Sequence, residues 1–208
     1  MPELTPTRTT YLEIQDELRQ LGEGYRFLDE KSVLLAQEIL RQLTSYEMNM
    51  ENLRTATDRA LDALAATAAR HGLDGTEAHP AANLADAQPE LARIRFLGLE
   101  IMNSSWPEQQ TEPRFAAVDP SPEAEACRDA FTRLLELHFA QALIGANLLR
   151  LRDEYVRTER RARALDQLIM PEMRQTLKQI DDQLESVDQE EASRVRYAAN
   201  LVAQREHS

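Results

Sequence analysis

The feature that most limits the fold of this chain is a run of apolar and small residues spaced alternately four and three positions apart. One such run extends from Ala130 to Ile169, and an earlier one, with one doubled step of four between Leu35 and Leu43, from Tyr11 to Leu64. This alternation puts the repeated residues on one narrow stripe of a helix and is typical of left-handed coiled coils. Because a helix with so narrow an apolar stripe is not stable alone, we expect the two runs to pair.

The sequence therefore predicts a mainly α fold, in which two long helices, N- and C-terminal, form an antiparallel left-handed coiled coil with a small irregular region between them. At about 1.5 Å per residue, the helices would be about 90 and 120 Å long. Thr5-Pro6-Thr7 places a capping residue and a proline ahead of the first helix, and Gly72 is placed to end it. The second helix is expected to start near Ser121 or Pro122. The expected boundaries are 1–70 for the first helix, 71–121 for the connection, 122–204 for the second helix and 205–208 for a tail. The main seam residues are Leu18, Leu21, Tyr25, Leu28, Leu35, Ile39, Leu148, Leu151, Tyr155, Leu165, Ile169 and Ile180.

The connection contains one segment with strand character, RIRFLGLEIM at 93–102. Apolar residues alternate with polar ones on both sides of Phe96 and Leu97, but the alternation slips by one residue there, which predicts a bulge. The segment is expected to form a short strand or a β-hairpin, with Phe96, Leu97, Gly98 and Leu99 as the candidate hairpin residues.

Further irregularities interrupt the helical runs. After Ile169 the next seam residues are Met173 and Leu177, two steps of four in succession, and this stutter predicts a locally unwound supercoil. Pro171 lies in the same turn and lacks one backbone donor, so we expect a kink in a helix that bends but does not end. In the first helix Gly22 and Gly24 each cost roughly 1 kcal/mol relative to alanine, so their presence in mid-helix needs a reason. We expect that a neighbouring backbone approaches closely there.

Composition excludes several classes of function. The net charge of −12 opposes nucleic acid and anionic membrane surfaces as partners. Cys127 is the only cysteine, so neither an internal disulfide nor a multi-thiolate metal site is expected. No apolar run is long enough for a membrane span or a signal peptide, which predicts an intracellular protein without direct membrane insertion. No phosphate-binding glycine loop, cofactor site or catalytic cluster is predicted, and no metal site from the histidines His71, His79, His138 and His207.

Several short motifs occur in an order that resembles the D subunits of V-type and archaeal-type rotary ATPases. They are Pro6-Thr7-Arg8, Gly24-Tyr25-Arg26-Phe27-Leu28 with Lys31, the mid-chain Phe96-Leu97-Gly98-Leu99-Glu100-Ile101, Ala164-Leu165 followed by Ile169, Pro171, Thr176 and Ile180, and Glu190-Glu191 with Arg194-Val195-Arg196. Each motif is short, and their shared order and spacing over both helices carry the resemblance.

The resemblance implies a central rotor shaft that transmits rotation between a nucleotide-binding ring and a membrane ring moving H⁺ or Na⁺. The terminal ends of the coiled coil would insert into a collar of catalytic A and regulatory B subunits, with Arg8, Arg194 and Arg196 as candidate collar contacts. The small F subunit of the central stalk would lie on the flank, and the C/d adaptor would connect the other end to the membrane ring. Such a chain has no catalytic site of its own and is cytoplasmic, peripheral to the membrane.

Two alternatives stay open at this point. A stand-alone coiled-coil adaptor or scaffold would share the seam but should form a self-contained homodimer, whereas a shaft should be monomeric until a flank subunit is added. The strand segment fills the core in one interpretation and is the family's regulatory hairpin in the other.

Overall fold

A computed structural model of the chain describes residues 7–82, 89–106 and 120–206. It confirms a mainly α fold with two long helical stretches and a small antiparallel hairpin. The elements in chain order are helix α1 (Arg8–Thr76), strands β1 (Glu90–Phe96) and β2 (Leu99–Ser105), helix α2 (Pro122–Ala164), a π-helical turn (Leu165–Ile169) and helix α3 (Met170–Glu206).

The chain divides into two compact units. The first, here the terminal unit, comprises Met1–Ser32 and Val156–Ser208, and the second, the central unit, comprises Val33–Tyr155. The central unit contains the hairpin and most of the buried apolar residues among those described.

Within the central unit, helices α1 and α2 run antiparallel. Asn49 of α1 bonds Gln141 of α2, whereas Thr67, further along α1, bonds the backbone of Glu123, which is earlier in α2. Leu35 and Leu151 are completely buried, as seam positions should be. The left-handed twist follows from the four and three spacing and stays a prediction.

Both ends of α1 carry the expected backbone signals. Thr7 caps the start, because its side-chain oxygen accepts a hydrogen bond from the Thr10 N–H at 3.1 Å. Near the other end Gly72 adopts φ +74° and ψ 167°, which breaks the helix at the predicted residue, although helical turns continue to Thr76. The expected boundary at residue 70 is therefore six residues short of the observed end of α1.

The hairpin is longer than the expected 93–102, and the expected bulge is wrong. Strands β1 and β2 pair without interruption from Glu90↔Ser105 to Phe96↔Leu99. The slip in alternation is a two-residue turn instead: Leu97 has φ +49° and Gly98 φ +85°, the positive values of a type I′ turn. Leucine is uncommon at such a position, and for that reason the turn is hard to recognise from sequence.

In the terminal unit the stutter is resolved by the π-helical turn. The Met170 N–H donates to the Leu165 carbonyl five residues back, so this turn holds one residue more than an α-helical turn. The extra residue rotates the following face: Met170 is buried, whereas Ile169, the predicted seam residue, is 37% exposed. Buried and half-buried residues then resume the three and four spacing at Met173, Leu177 and Ile180.

The explanation predicted for the two helical glycines is wrong. A Cβ atom built on Gly22 or Gly24 would meet no other atom within 4 Å among the described residues. Among the described residues, no close approach of neighbouring backbone therefore requires either glycine.

Candidate functional site

The first candidate site is the end of the terminal unit where α1 begins. Arg8 forms an ion pair of 3.1 Å with Asp188, and both side chains are largely exposed. Helix α3 continues past Asp188 to Glu206, and every side chain described from 185 to 200 is exposed. Arg194 pairs loosely with Glu190 at 3.7 Å, one turn earlier on the same helix. The structure thus puts Arg8 six residues before the level of Arg194, on a surface with little cover from the rest of the described chain.

This end presents charge and apolar surface together. Val195 and Tyr197 are 63% and 69% exposed next to Arg194 and Arg196. A helix of this kind buries no stripe against the residues described, so its own sequence supplies little of the stability a helix obtains from packing. Contact with another molecule would supply that stability.

The second candidate site is the docked hairpin of the central unit. Ile101 of β2 is buried with Leu35 of α1 and Leu151 of α2, and the apolar residues packed around these three are Ile39, Phe96, Leu97, Leu99 and Tyr155. Three of the four candidate hairpin residues, all except Gly98, therefore contact this cluster. Leu97 keeps its uncommon positive φ because its side chain packs there.

One side chain of α2 fixes the edge of the hairpin. The Asn147 Oδ1 accepts a hydrogen bond from the Met102 N–H at 2.9 Å, and its Nδ2 donates to the Met102 carbonyl at 2.6 Å. The amide thus bonds both backbone groups of one residue, as a neighbouring strand would. Asn147 is buried, so an unpaired amide there would be costly. Sequence reasoning missed this residue; the available signal was an asparagine within an apolar helical segment.

A partly buried polar layer joins the two helices of the central unit. The Asn49 Nδ2 donates to the Gln141 Oε1 at 2.7 Å and to the Leu137 carbonyl at 3.1 Å. The Gln141 Nε2 in turn reaches the Tyr46 carbonyl at 3.4 Å. A polar layer in an apolar seam fixes the register of a coiled coil, because sliding would leave the buried amide of Gln141 without its partner.

The start of α2 is held to α1 by a charged cluster. Ser121 is buried and accepts a bond from the Ala124 N–H at 3.4 Å, and its oxygen lies 2.7 Å from the His71 Nε2. The Arg70 Nη1 donates to both carboxylate oxygens of Glu123 at 2.7 Å. The hydrogen bond from Arg70 is the main reason that the pKa of Glu123 is lowered, and the Glu123 backbone N–H adds to it.

Across residues 7–82, 89–106 and 120–206, no three histidine, cysteine, aspartate or glutamate side chains come together in a way that could hold a metal ion. In the same residues, none of the helices combines the length and the apolar composition of a membrane span. What the structure offers is surface for contact with other molecules.

Comparison with known proteins is consistent from one end of the chain to the other. The family model of the ATP synthase D subunit matches residues 10–200. The V-type ATP synthase D subunit of Thermotoga neapolitana is 27% identical, over 96% of this chain and 98% of the relative. The A-type ATP synthase D subunit of Pyrococcus furiosus is 24% identical over 99% of both chains. The V-type ATP synthase D subunit 2 of Treponema pallidum is 25% identical over 90% of both.

These relatives are similar in length to this chain, and the family match spans both long helices and the hairpin. The motif order in the sequence points to the same family. The chain belongs to the family of ATP synthase D subunits.

Proposed function

We propose that this chain acts as the rotor shaft of a V-type or A-type ATP synthase, transmitting rotation between a nucleotide-binding ring and an ion-translocating membrane ring. The observation that carries this proposal is the family match over residues 10–200, since the D subunit belongs to the central stalk. The family favours this function over a stand-alone coiled-coil adaptor. As a stalk component the chain would have no catalytic site and would lie in the cytoplasm, peripheral to the membrane.

The collar of catalytic A and regulatory B subunits would hold the terminal unit. The exposed part of α3 beyond Asp188 supports this, because Val195 and Tyr197 would lose water contact inside a collar. Arg8, Arg194 and Arg196 would then meet acidic or carbonyl groups of the surrounding subunits. In the chain alone the exposed ion pairs of Arg8 and Arg194 contribute little, so both arginines can exchange partners at small cost.

The small F subunit and the C/d adaptor are the remaining proposed partners. Apolar side chains on α2 that lie off the seam offer a surface in the central unit for such a partner: Phe131, Leu135 and Leu149 are all exposed. Whether the complex moves H⁺ or Na⁺ depends on the membrane ring and not on this chain.

A shaft must keep its two helices in register under load. The hydrogen bond from Asn49 to the buried Gln141 supports this function, because sliding by one turn would break it. Pro171, directly after the π-helical turn, is the proposed kink of the shaft. Pro171→Ala should alter the coupling of hydrolysis to ion flow without unfolding the chain; unchanged coupling would make the kink incidental.

The experiment that tests the shaft is a tagged purification from native membranes, with quantitative mass spectrometry of the proteins recovered. We expect the two large nucleotide-binding subunits and a small flank subunit with the wild-type chain. Arg194→Glu combined with Arg196→Glu should reduce recovery of the large subunits, while the flank subunit stays bound. Arg174→Glu, an exposed arginine earlier on α3, is the matched control. Recovery of the wild-type chain as a homodimer without ATPase subunits would contradict the shaft.

A further inference from the structure

Among the described residues, one edge of the hairpin is hydrogen-bonded to α2 and the other edge is hydrogen-bonded to no other element. On the β2 side, Asn147 bonds both backbone groups of Met102 and takes the place of a neighbouring strand. On the β1 side, no described residue forms a hydrogen bond to the backbone beyond those between the two strands. Every residue from Glu90 to Arg95 is exposed. An open strand edge is a template for pairing with another chain.

The register identifies the backbone groups that face outward. The Met102 N–H and C=O point to Asn147 and therefore away from β1, so Met102 and its partner Arg93 form a non-hydrogen-bonded pair. The N–H and C=O of Arg93 consequently point away from β2. Because this alternates along a strand, the same holds for Leu91 and Arg95. The two-residue turn agrees, since the pair that closes it, Phe96 and Leu99, is then hydrogen-bonded.

From Ala92 to Phe96, apolar and basic side chains alternate between the two faces of this edge. Arg93 and Arg95 lie on the face away from Ile101, the buried residue of β2. Ile94 lies on the face of Ile101 but is 46% exposed, because it sits on the outer strand. A strand added beside residues 92–95 would therefore meet Arg93 and Arg95 on one face, and Ala92 and Ile94 on the other. Arg93 also lies 3.8 Å from Glu100 of β2, in an exposed pair that can exchange partners at small cost.

We propose that the outer edge of β1 binds an extended segment of a partner protein in which acidic and apolar residues alternate, added as a third strand of the hairpin. Main-chain bonds to Leu91, Arg93 and Arg95 would supply attachment, and the two faces would supply selectivity. A second copy of this chain is a poor occupant: antiparallel pairing about Arg93 would put the two Arg93 side chains directly opposite each other, and like charges opposite in a sheet are destabilising. The proposal does not depend on the shaft function.

Residue-resolved amide hydrogen exchange of the full chain tests this edge. The probe is a short synthetic peptide of alternating valine and glutamate, compared with one of alternating valine and lysine. We expect the acidic peptide to slow exchange at the outward amides of Leu91, Arg93 and Arg95 by roughly tenfold or more, with the inward amides of Ala92 and Ile94 little changed. The lysine peptide should slow none of them.

Two variants keep the result specific to the edge. Arg93→Pro removes an outward donor at a place where an edge strand tolerates proline, and it should abolish the slowing at Leu91 and Arg95, whereas Arg93→Ala should keep most of it. Arg93→Glu with Arg95→Glu should transfer the preference to the lysine peptide, which tests the charge even if the proline variant loses the hairpin. The proposal is overturned by absent slowing, by equal slowing with both peptides, or by slowing that needs only a higher concentration of the chain itself.

Discussion

The central and terminal units share the same apolar spacing, but different contacts hold the helices together in each unit. In the central unit the seam includes a polar layer at Asn49 and Gln141, and the hairpin covers Leu35 and Leu151. In the terminal unit the cross-helix ion pair that the structure describes, Arg8 with Asp188, is largely exposed. The side chains of α3 from 185 to 200 are likewise exposed.

This contrast shows that a heptad pattern specifies which residues face a partner, but not how well that face is covered. The central unit obtains cover and register from its own chain, through the hairpin and the hydrogen bond between Asn49 and the buried Gln141. The terminal unit keeps an uncovered helical end of the kind that other subunits would bury. Substitutions in the central unit should therefore change the stability of the isolated chain most strongly.

The largest expected effect is at the core of the central unit. Leu151→Ala should lower the free energy of unfolding by about 2–5 kcal/mol, because it removes a completely buried side chain and leaves a cavity. Leu149→Ala, two residues away and 55% exposed, should change it by less than about 0.5 kcal/mol. Denaturant unfolding followed by circular dichroism measures both. Equal losses of unfolding free energy in the two variants would mean that this cluster does not stabilise the central unit.

The bonds from Asn147 to the hairpin should give the next effect. Asn147→Ala leaves the Met102 N–H and C=O without their bonds, at a cost of about 1–3 kcal/mol. The loss should appear as faster amide exchange throughout β2, with the helices little changed. Asn103→Ala is the control, since its side chain is exposed and bonds only the next residue, Ser104, in the described contacts. If both variants behave alike, Asn147 does not hold the hairpin.

The helices and the existence of the hairpin could be predicted because their signals are local. The four and three spacing, Thr7 at the start of α1, Gly72 near its end and Pro122 at the start of α2 each act within a few residues. The same spacing placed Leu35, Leu151 and Ile180 among the buried residues. For the helices, therefore, the local sequence predicts both where the helix forms and which of its residues are buried.

The rest depended on tertiary structure. Ile169 and Met170 exchange roles because a π-helical turn absorbs one residue, whereas the spacing alone is equally compatible with an unwound supercoil. The partner of Asn147 is Met102, far away in sequence, and an asparagine in a helix does not indicate which distant backbone it bonds. Leu97 made the turn hard to recognise, because its positive φ is maintained by packing and not by the residue type.

Two glycine substitutions, one in each unit, should change the stability of the chain in opposite directions. Gly98→Ala in the hairpin should destabilise the chain by about 1–2 kcal/mol, because φ is +85° there and a Cβ atom strains that conformation. Gly22→Ala in the terminal unit should stabilise it by up to about 1 kcal/mol, since the added methyl group meets nothing within 4 Å and alanine favours the helix. Thermal unfolding of the two variants measures whether each substitution lowers or raises the stability. A destabilised Gly22→Ala chain would show that the glycine is needed for a contact the terminal unit makes within the isolated chain.

The smallest expected effect is a pH dependence at the start of α2. The hydrogen bond from Arg70 lowers the pKa of Glu123 below its ordinary value of about 4.5. A lowered pKa in the folded chain means that the stabilisation is present above about pH 4.5 and is lost as the pH falls from there through the folded value. In a profile of stability measured between neutral pH and about pH 3, Glu123→Gln should therefore reduce the loss of stability on the acid side. Most of the stability at neutral pH should be unchanged, because the pair is partly exposed. Glu125→Gln, in the same helical turn but exposed and with no ion pair among the described contacts, is the matched control. If the two variants lose stability identically at acid pH, the Arg70 bond does not link the helices of the central unit. The N-terminal capping by Ser121 would then hold the start of α2 without that bond.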